Sequence, residues 1–225
     1  MLNDLNIRSG RAQLLVGCLA AGLCRAQLPL PDDGPRPVFR VEVVESLPPT
    51  FGVTAVSTSG LHGQIYFLND GTLALPNFKK LKPVGSLYTE YLNIPPREFT
   101  DGFPGITNRF EWFAIDYTGR FWIDKPGKYQ FALVSDDGSK LYIDGKKVID
   151  NDGLHPAVVE YGSVKLTEGI HDIRVSYFQG PRTSLALILA VAVPGEKDFH
   201  IFDARKFRPP KGLPDLPAVE TAQPK

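Results

Sequence analysis

The stretch FALVSDDGSKLYIDGKKVIDNDGLH, residues 131–155, decides the fold of this chain. Its apolar residues are spaced as in half-buried β-strands. The dipeptide Asp144-Gly145 predicts a two-residue hairpin turn, because such a turn needs positive φ at both central positions. Acidic residues fall where the predicted strands end: Asp136, Asp137, Asp150 and Asp152. The stretch therefore predicts two acidic loops that a hairpin holds near one rim of a sheet.

Strand-like segments recur about every ten residues and are separated by Gly and Pro, a spacing typical of all-β sandwiches and barrels. The predicted strands are 38–45, 64–68, 110–115, 119–123, 128–134, 158–166, 170–178 and 184–193. Tyr117-Thr118 is interpreted as a turn between two of them. The last strand is apolar on both faces, which favours a central strand covered on both sides. We predict an all-β fold, an antiparallel sandwich or barrel with short irregular or helical insertions.

The segment from Thr72 to Asn108 has many turn formers and few periodic runs. A connection of this length inside a domain is expected to pack on the core or to serve a function. Its aromatic residues favour packing: Tyr88, Tyr91, Phe99 and Phe103. One helical turn is predicted around Leu87 to Tyr91.

The N-terminal segment, residues 1–26, resembles a secretory signal peptide. Arg8 and Arg11 precede an apolar run, and cleavage is predicted after Ala26. The alternative is a lipoprotein signal, with Leu15-Val16-Gly17-Cys18 as the lipid-attachment box and Cys18 as the acylated residue. Both cysteines of the chain lie in this segment, so cleavage after Ala26 leaves no thiol chemistry.

The remaining chain divides by composition into four parts. Residues 27–60 are predicted to be a Pro-rich linker with one strand, and residues 61–195 the main β-sandwich domain. Residues 196–208 form an aromatic segment expected to pair at a sheet edge. Residues 209–225 are rich in proline and are predicted to be a disordered tail.

Charge and motifs exclude several classes of function. The formal net charge is zero, so no basic surface for nucleic acid is indicated. No transmembrane segment is predicted to remain after signal cleavage. The sequence lacks G-x-S-x-G, H-E-x-x-H and a phosphate-binding glycine loop. We therefore predict that the chain is not an enzyme.

Three blocks resemble one known family when taken in order. They are FxIxxPGxYxFxLxSDDGSxLYIDG at 121–145, VIDNDGLH at 148–155 and GxHxIRVxYF at 169–178. Together they resemble the PA14 domain, a β-sandwich module first recognised in anthrax protective antigen. The similarity extends over roughly residues 61–193 and implies a non-catalytic module of the kind found in glycosidases, adhesins and toxins.

The resemblance also implies a metal site. In yeast adhesins of this family, paired aspartates corresponding to Asp136 and Asp137 are joined by a cis peptide bond. They bind a calcium ion that holds the hydroxyls of a sugar. An asparagine that completes the site there corresponds to Gln179, whose carbonyl oxygen lies one methylene further out. The loop 150–155 is a second source of ligands.

The candidate site residues follow from this reasoning. The predicted metal ligands are Asp136, Asp137 and Asp152, with Ca²⁺ as cofactor. The predicted ligand-binding residues are Tyr142, Asn151, His155 and Gln179. The alternative for the acidic turn is a structural one, in which aspartates accept backbone N–H bonds. For Trp112 and Trp122 we predict core packing, since apolar residues surround both in the sequence.

Two functions are consistent with these features. The first is a secreted or cell-surface binding module for carbohydrate, dependent on calcium, with a glycan or polysaccharide as partner. The second is a structural or protein-interaction module of the cell envelope that binds another envelope protein and no sugar. The predicted location is secreted, periplasmic or at the cell surface.

Overall fold

The structure is a computed structural model. It describes residues 60–106, 109–181 and 184–212 in full, and the backbone of three N-terminal strands, residues 17–19, 23–27 and 38–42. The predicted signal peptide, the linker and the tail otherwise lie outside the described residues.

The described part of the chain is built of β-strands joined by loops and three short 3₁₀ helices, at Phe78–Lys80, Phe99–Asp101 and Ala204–Lys206. The strands in chain order are β1 (Gly17–Leu19), β2 (Leu23–Gln27), β3 (Val38–Glu42), β4 (Leu61–Phe67), β5 (Gly85–Thr89), β6 (Asn93–Glu98), β7 (Phe113–Ile123), β8 (Gly127–Asp136), β9 (Ser139–Ile143), β10 (Lys146–Asn151), β11 (Val158–Leu166), β12 (Gly169–Gln179), β13 (Ser184–Ala192) and β14 (His200–Ile201).

Two antiparallel sheets form the sandwich. The first has six strands in the order β10-β9-β12-β7-β4-β5. The second has the order β11-β8-β13-β14, and β6 also pairs with β13. Strands β1 to β3 form a separate three-stranded sheet. The all-β antiparallel sandwich predicted from the sequence is therefore confirmed.

The core lies between the two sheets and is filled by alternate residues of their strands. Its largest fully buried side chains include aromatic residues of β7, β8 and β12 and two from loops: Phe113, Tyr117, Phe121, Phe131, Tyr177, Phe103 and Phe202. A second apolar cluster lies on the other face of β13, where Ile188 and Ala190 pack with Phe199. Strand β13 is thus covered on both faces, as its apolar sequence predicted.

The hairpin predicted at Asp144-Gly145 joins β9 and β10. Both residues have positive φ, 49° and 74°. The Asp144 carboxylate accepts the backbone N–H of Asp172 at 3.0 Å and lies 2.7 Å from Nδ1 of His171. This turn therefore also fixes the start of β12.

Two local predictions were wrong. The residues Tyr117-Thr118 form no turn, because β7 runs unbroken from Phe113 to Ile123 and is paired on both sides, with β4 and β12. The hydrogen bonds of two ladders outweigh a weak local turn preference. Similarly, the segment around Leu87 is strand β5 rather than a helical turn, because it pairs with β4.

The described part of the long segment, residues 72–106, packs on the sandwich, as its aromatic residues predicted. Leu92, Ile94 and Phe103 are buried, and the Phe103 ring stacks on Tyr177 with centroids 5.1 Å apart. The segment contains β6, whose Pro95-Pro96 is tolerated because the pairing with β13 is irregular at this point. The predicted edge pairing of the last aromatic segment is also observed, as β14.

The hairpin gives a stability prediction. Gly145→Ala is expected to lower the free energy of unfolding by about 1–2 kcal/mol, because the new side chain must adopt a left-handed backbone conformation. No atom lies within 4 Å of the added Cβ, so backbone strain is the cause. The measurement is urea unfolding. The matched control is Gly85→Ala in β5, where φ is not positive and the Cβ has room; an equal loss in both variants would contradict this explanation.

Candidate functional site

The candidate site lies at one end of the sandwich, where β8 ends. Asp136 is the last residue of β8 and pairs with Ala186 of β13. Gln179 ends β12, Ser184 begins β13, and the loop after β10 approaches from the other side. The antiparallel pairing of these strands brings their ends together, so residues far apart in sequence meet here.

Asp136 and Asp137 are the central residues of the site. They are only 4% and 6% exposed, and the peptide bond between them is cis. Most aspartates in folded proteins remain in contact with water, so two adjacent buried carboxylates need compensating partners.

The Asp136 side chain receives a hydrogen bond from the Ser184 hydroxyl at 2.5 Å. Burial raises the pKa of Asp136 to about 6, and the neighbouring Asp137 charge adds to the shift. The bond from Ser184 and the nearby His155 act in the opposite direction. Hydrogen bonds thus offset only part of the cost of removing this carboxylate from water.

The Asp137 carboxylate is held by backbone donors from two loops. The N–H of Gly180 donates to Oδ2 at 2.8 Å, and the N–H of His155 donates to Oδ1 at 3.2 Å. Burial also raises the pKa of Asp137, and these two backbone bonds oppose the rise. The Asp137 carboxylate thus accepts backbone N–H bonds of the kind that the structural alternative for this turn expects, and these bonds offset only part of its desolvation.

No Lys or Arg of the described ranges forms an ion pair with either carboxylate. Asp152, the third predicted metal ligand, is different. Its Oδ2 accepts from Lys140 Nζ at 2.6 Å, and its Oδ1 accepts from the backbone N–H of Leu75 at 2.8 Å. The negative charge of Asp152 is therefore already paired, whereas within the described residues the charges of Asp136 and Asp137 are not.

Gln179 lies beneath the two aspartates and is completely buried. Its oxygen Oε1 accepts from the Tyr177 hydroxyl at 2.6 Å. Its nitrogen Nε2 donates to the Ser184 carbonyl at 3.1 Å and faces Asp137 Oδ2 at 3.4 Å. With the Pro181 carbonyl at 3.5 Å, all three neighbours of Nε2 are acceptors, which fixes the amide orientation. Gln179 thus presents N–H groups, and not its oxygen, to Asp137.

A buried polar cluster extends from the site into the sandwich. The Asn151 Nδ2 group donates to Ser135 Oγ at 3.0 Å, and Ser135 Oγ lies 2.6 Å from Ser139 Oγ. Asn151 Oδ1 is buried and has no hydrogen-bond partner. The His155 ring lies between two carbonyl oxygens, with Nε2 2.9 Å from Asn151 O and Nδ1 3.0 Å from Pro156 O. Asn151 and His155 therefore support the acidic turn from within.

Tyr142 is not brought to this site. It lies on the outer face of the six-stranded sheet, because its neighbours Leu141 and Ile143 point into the core. The Arg174 guanidinium lies over its ring, 5.4 Å from the centroid. Of the seven predicted site residues, the structure brings five together: Asp136, Asp137, Asn151, His155 and Gln179. Asp152 lies beside Gly138 and is paired with Lys140, and Tyr142 lies elsewhere.

Comparison with known proteins gives the same family as the sequence motifs. The family model of the PA14 domain matches residues 99–203. This chain contains a PA14 domain. A comparison with curated proteins found no match.

Solved structures share the fold of this PA14 domain. A PA14 sugar-binding domain from an RTX adhesin is 19% identical with a TM-score of 0.53, over 65% of this chain and 96% of that one. The PA14 domain of the antifreeze protein MpAFP is 17% identical with a TM-score of 0.56, over 72% and 93%. An anti-sigma factor domain-containing protein from Clostridium clariflavum is 20% identical with a TM-score of 0.51, over 68% and 48%.

The donor set of this PA14 domain fits a hard cation through its two paired aspartates. Ca²⁺ prefers carboxylate and carbonyl oxygens and takes six to eight of them. Within the described ranges, no three side chains of His, Cys, Asp or Glu are grouped to hold a metal. A cation held by Asp136 and Asp137 would therefore take its other oxygens from the backbone, water or a ligand.

A cavity beside the acidic turn was missed by sequence reasoning. It has a volume of about 390 Å³ and is lined by Phe67, Asp70, Phe99, Arg109, Phe110, Glu111 and Trp112.

Trp112 packs against the cluster of Tyr66 and Phe178, which agrees in part with its predicted core role. Trp122 is half-buried on the outer sheet face and donates to Asp124 Oδ1 at 2.6 Å.

The backbone of Trp112 has φ 56°, a rare conformation for a bulky residue. Such a conformation costs on the order of 1–3 kcal/mol and persists where the surroundings enforce it. Here the Leu68 N–H donates to the Trp112 carbonyl at 2.8 Å, and the Trp112 N–H donates to the Gly180 carbonyl at 3.3 Å. The sequence around Trp112 does not predict a positive φ at this residue.

The raised pKa of Asp136 gives a pH prediction. In chelator, the contribution of Asp136 to the free energy of unfolding is expected to rise as pH falls from 7 towards 4. In that range the native state binds more protons than the unfolded state, because the folded pKa is about 6 against an ordinary 3.8. The rise attributable to Asp136 is at most about 3 kcal/mol.

The measurement is urea unfolding of the unaltered chain and of Asp136→Asn at several pH values. The difference between the two isolates Asp136 from the other titrating groups. We expect the unaltered chain to gain stability relative to Asp136→Asn as pH falls. If the difference in free energy of unfolding between the two proteins does not change with pH, burial does not raise the pKa of Asp136.

Proposed function

We propose that this PA14 domain is a non-catalytic carbohydrate-binding module that holds Ca²⁺ at Asp136 and Asp137. The observation that carries the proposal is the burial of two adjacent carboxylates with no basic partner among the described residues. A divalent cation is the compensation that this arrangement lacks. The ligand proposed is a glycan or polysaccharide.

Electrostatics favours this cation. Burial raises the pKa of both aspartates because their charged forms are poorly solvated. A bound cation would favour the charged forms and reverse that penalty. The two carboxylates supply at most four of the six to eight oxygens that Ca²⁺ takes, so hydroxyls of a bound sugar can complete the shell.

The fold similarity supports the same proposal. One solved structure with this fold is a sugar-binding PA14 domain from an RTX adhesin. By that analogy we place the present domain outside the cytoplasm, as a secreted or cell-surface protein. None of the helices in the described ranges has the length and apolar character that crossing a membrane requires.

A catalytic role is less consistent with the geometry. A glycosidase needs two accessible carboxyl groups that flank the bond to be broken. Asp136 and Asp137 are adjacent in the chain, almost fully buried and bound to Ser184, Gly180 and His155. This arrangement suits a cation better than a scissile bond, so we propose a binding function without hydrolysis.

Calcium is therefore expected to stabilise the folded domain. A ligand at a hundredfold excess over its Kd raises the free energy of unfolding by about 2.7 kcal/mol. We expect a higher midpoint of thermal unfolding in millimolar CaCl₂ than in EGTA, and a loss of this difference in Asp137→Asn. Binding of the unaltered chain to a glycan array is expected to be stronger in calcium than in EGTA.

The matched control is Asp150→Asn, because Asp150 is an exposed aspartate that pairs with Lys147 and Lys140. It should retain the full calcium effect. Asp152→Asn tests the predicted third ligand. If this variant still binds calcium, Asp152 pairs with Lys140 and is not a calcium ligand. A calcium effect that survives in Asp137→Asn would place the cation elsewhere and contradict the proposal.

A further inference from the structure

The cavity beside the acidic turn has aromatic rings that face solvent. Phe67 is 43% exposed and Phe110 is 45% exposed, although both are large apolar side chains. The Phe110 ring meets Phe99 edge to face at 6.4 Å, and Trp112 forms another part of the wall. Exposed aromatic rings that line one concavity are typical of binding surfaces.

The polar groups of the cavity are fixed at its edge. Arg109 lies over the Phe67 ring, 4.9 Å from its centroid, and donates to the carbonyls of Leu68 and Glu111 at 2.8 and 2.9 Å. Asp70 is highly exposed and lies 3.9 Å from Arg109. With Asp70, Glu111 and Arg109 the lining carries a formal charge of −1, which disfavours an anionic ligand.

The cavity is connected to the acidic turn through one residue. The Gly180 carbonyl accepts from the Trp112 N–H at 3.3 Å, and the Gly180 N–H donates to Asp137 Oδ2 at 2.8 Å. The strained backbone of Trp112 is held by this contact and by Leu68. The cavity wall and the acidic turn therefore share Gly180 as a common backbone contact.

We propose that this cavity is a second subsite, which binds an uncharged pyranose residue of the same glycan without calcium. A pyranose has apolar C–H faces that stack on aromatic rings and hydroxyls that bond to polar groups at the edge. The cavity offers rings for the face, fixed polar groups for the hydroxyls and a volume within the range of small-ligand sites. The inference rests on the proposed carbohydrate-binding function and adds a separate, metal-free contact to it.

The test uses the intrinsic fluorescence of Trp112. The chain has two tryptophans, and Trp122→Phe leaves Trp112 as the single reporter. This variant is titrated in EGTA with methyl glycosides of glucose, galactose, mannose and N-acetylglucosamine, and with methyl glucuronide. We expect a saturable change of Trp112 emission with at least one uncharged glycoside, and weaker binding of the anionic glucuronide.

Further substitutions assign the response to the cavity. Phe110→Ala is expected to weaken the response at least tenfold, whereas Phe110→Tyr keeps the ring and the response. The matched control is Leu73→Ala, an exposed apolar residue outside the cavity. Circular dichroism and thermal unfolding check that each variant is folded.

The outcomes separate the two proposals. No emission change with any glycoside, or a change that Phe110→Ala leaves intact, overturns the second subsite. If calcium stabilisation and array binding are nevertheless present, the proposed function stands without the subsite. If they are absent while Trp112 still responds to a sugar, the calcium site fails and the cavity is the binding site.

Discussion

Two neighbouring carboxylates removed from water at the end of β8 are the constraint on which this end of the molecule depends. Asp136 and Asp137 each repel a second negative charge and each lose hydration, so the chain must supply donors around them. It does so with the Ser184 hydroxyl and with two backbone N–H groups from separate loops. The loops before β11 and between β12 and β13 are held together by this requirement.

The sandwich makes the convergence possible. Strand β8 lies beside β13, while β12 ends in the opposite sheet. The Tyr177 hydroxyl of β12 reaches across and lies 2.7 Å from the Asp136 carbonyl and 2.6 Å from Gln179 Oε1, so these two acceptors share its one proton. Space around the turn is also restricted. A Cβ on Gly138 would lie 2.3 Å from Phe178 Cε1 and 2.8 Å from the Gly153 nitrogen. Such short distances leave room only for glycine at position 138. Packing therefore restricts the residue that follows the two aspartates.

Much of the fold could be predicted from local pattern because strong local signals agree with tertiary structure. Asp144-Gly145 forms its hairpin, and the apolar segment 184–192 becomes the strand covered on both faces. The failures occurred where a neighbouring strand decided the outcome. Tyr117-Thr118 and Leu87 are in strands because β4 pairs with both segments, and no local residue pattern contains that information.

The candidate site was predictable in part. The acidic turn was visible as a run of carboxylates at a strand end, and family resemblance singled out Asp136 and Asp137. The pairing of Asp152 with Lys140 and the orientation of the Gln179 amide depend on three-dimensional contacts across strands. The cavity at Trp112 depends on a backbone conformation that tryptophan rarely adopts. The sequence alone does not predict these features, because each depends on tertiary contacts.

The central claim is that a calcium ion occupies the buried pair of carboxylates. The most direct test is a crystal structure of the domain grown in CaCl₂, with anomalous diffraction recorded at long wavelength. The account predicts an anomalous peak within 2.3–2.6 Å of carboxylate oxygens of both Asp136 and Asp137. A structure without that peak, or with calcium only at Asp150 and Asp152, would contradict it.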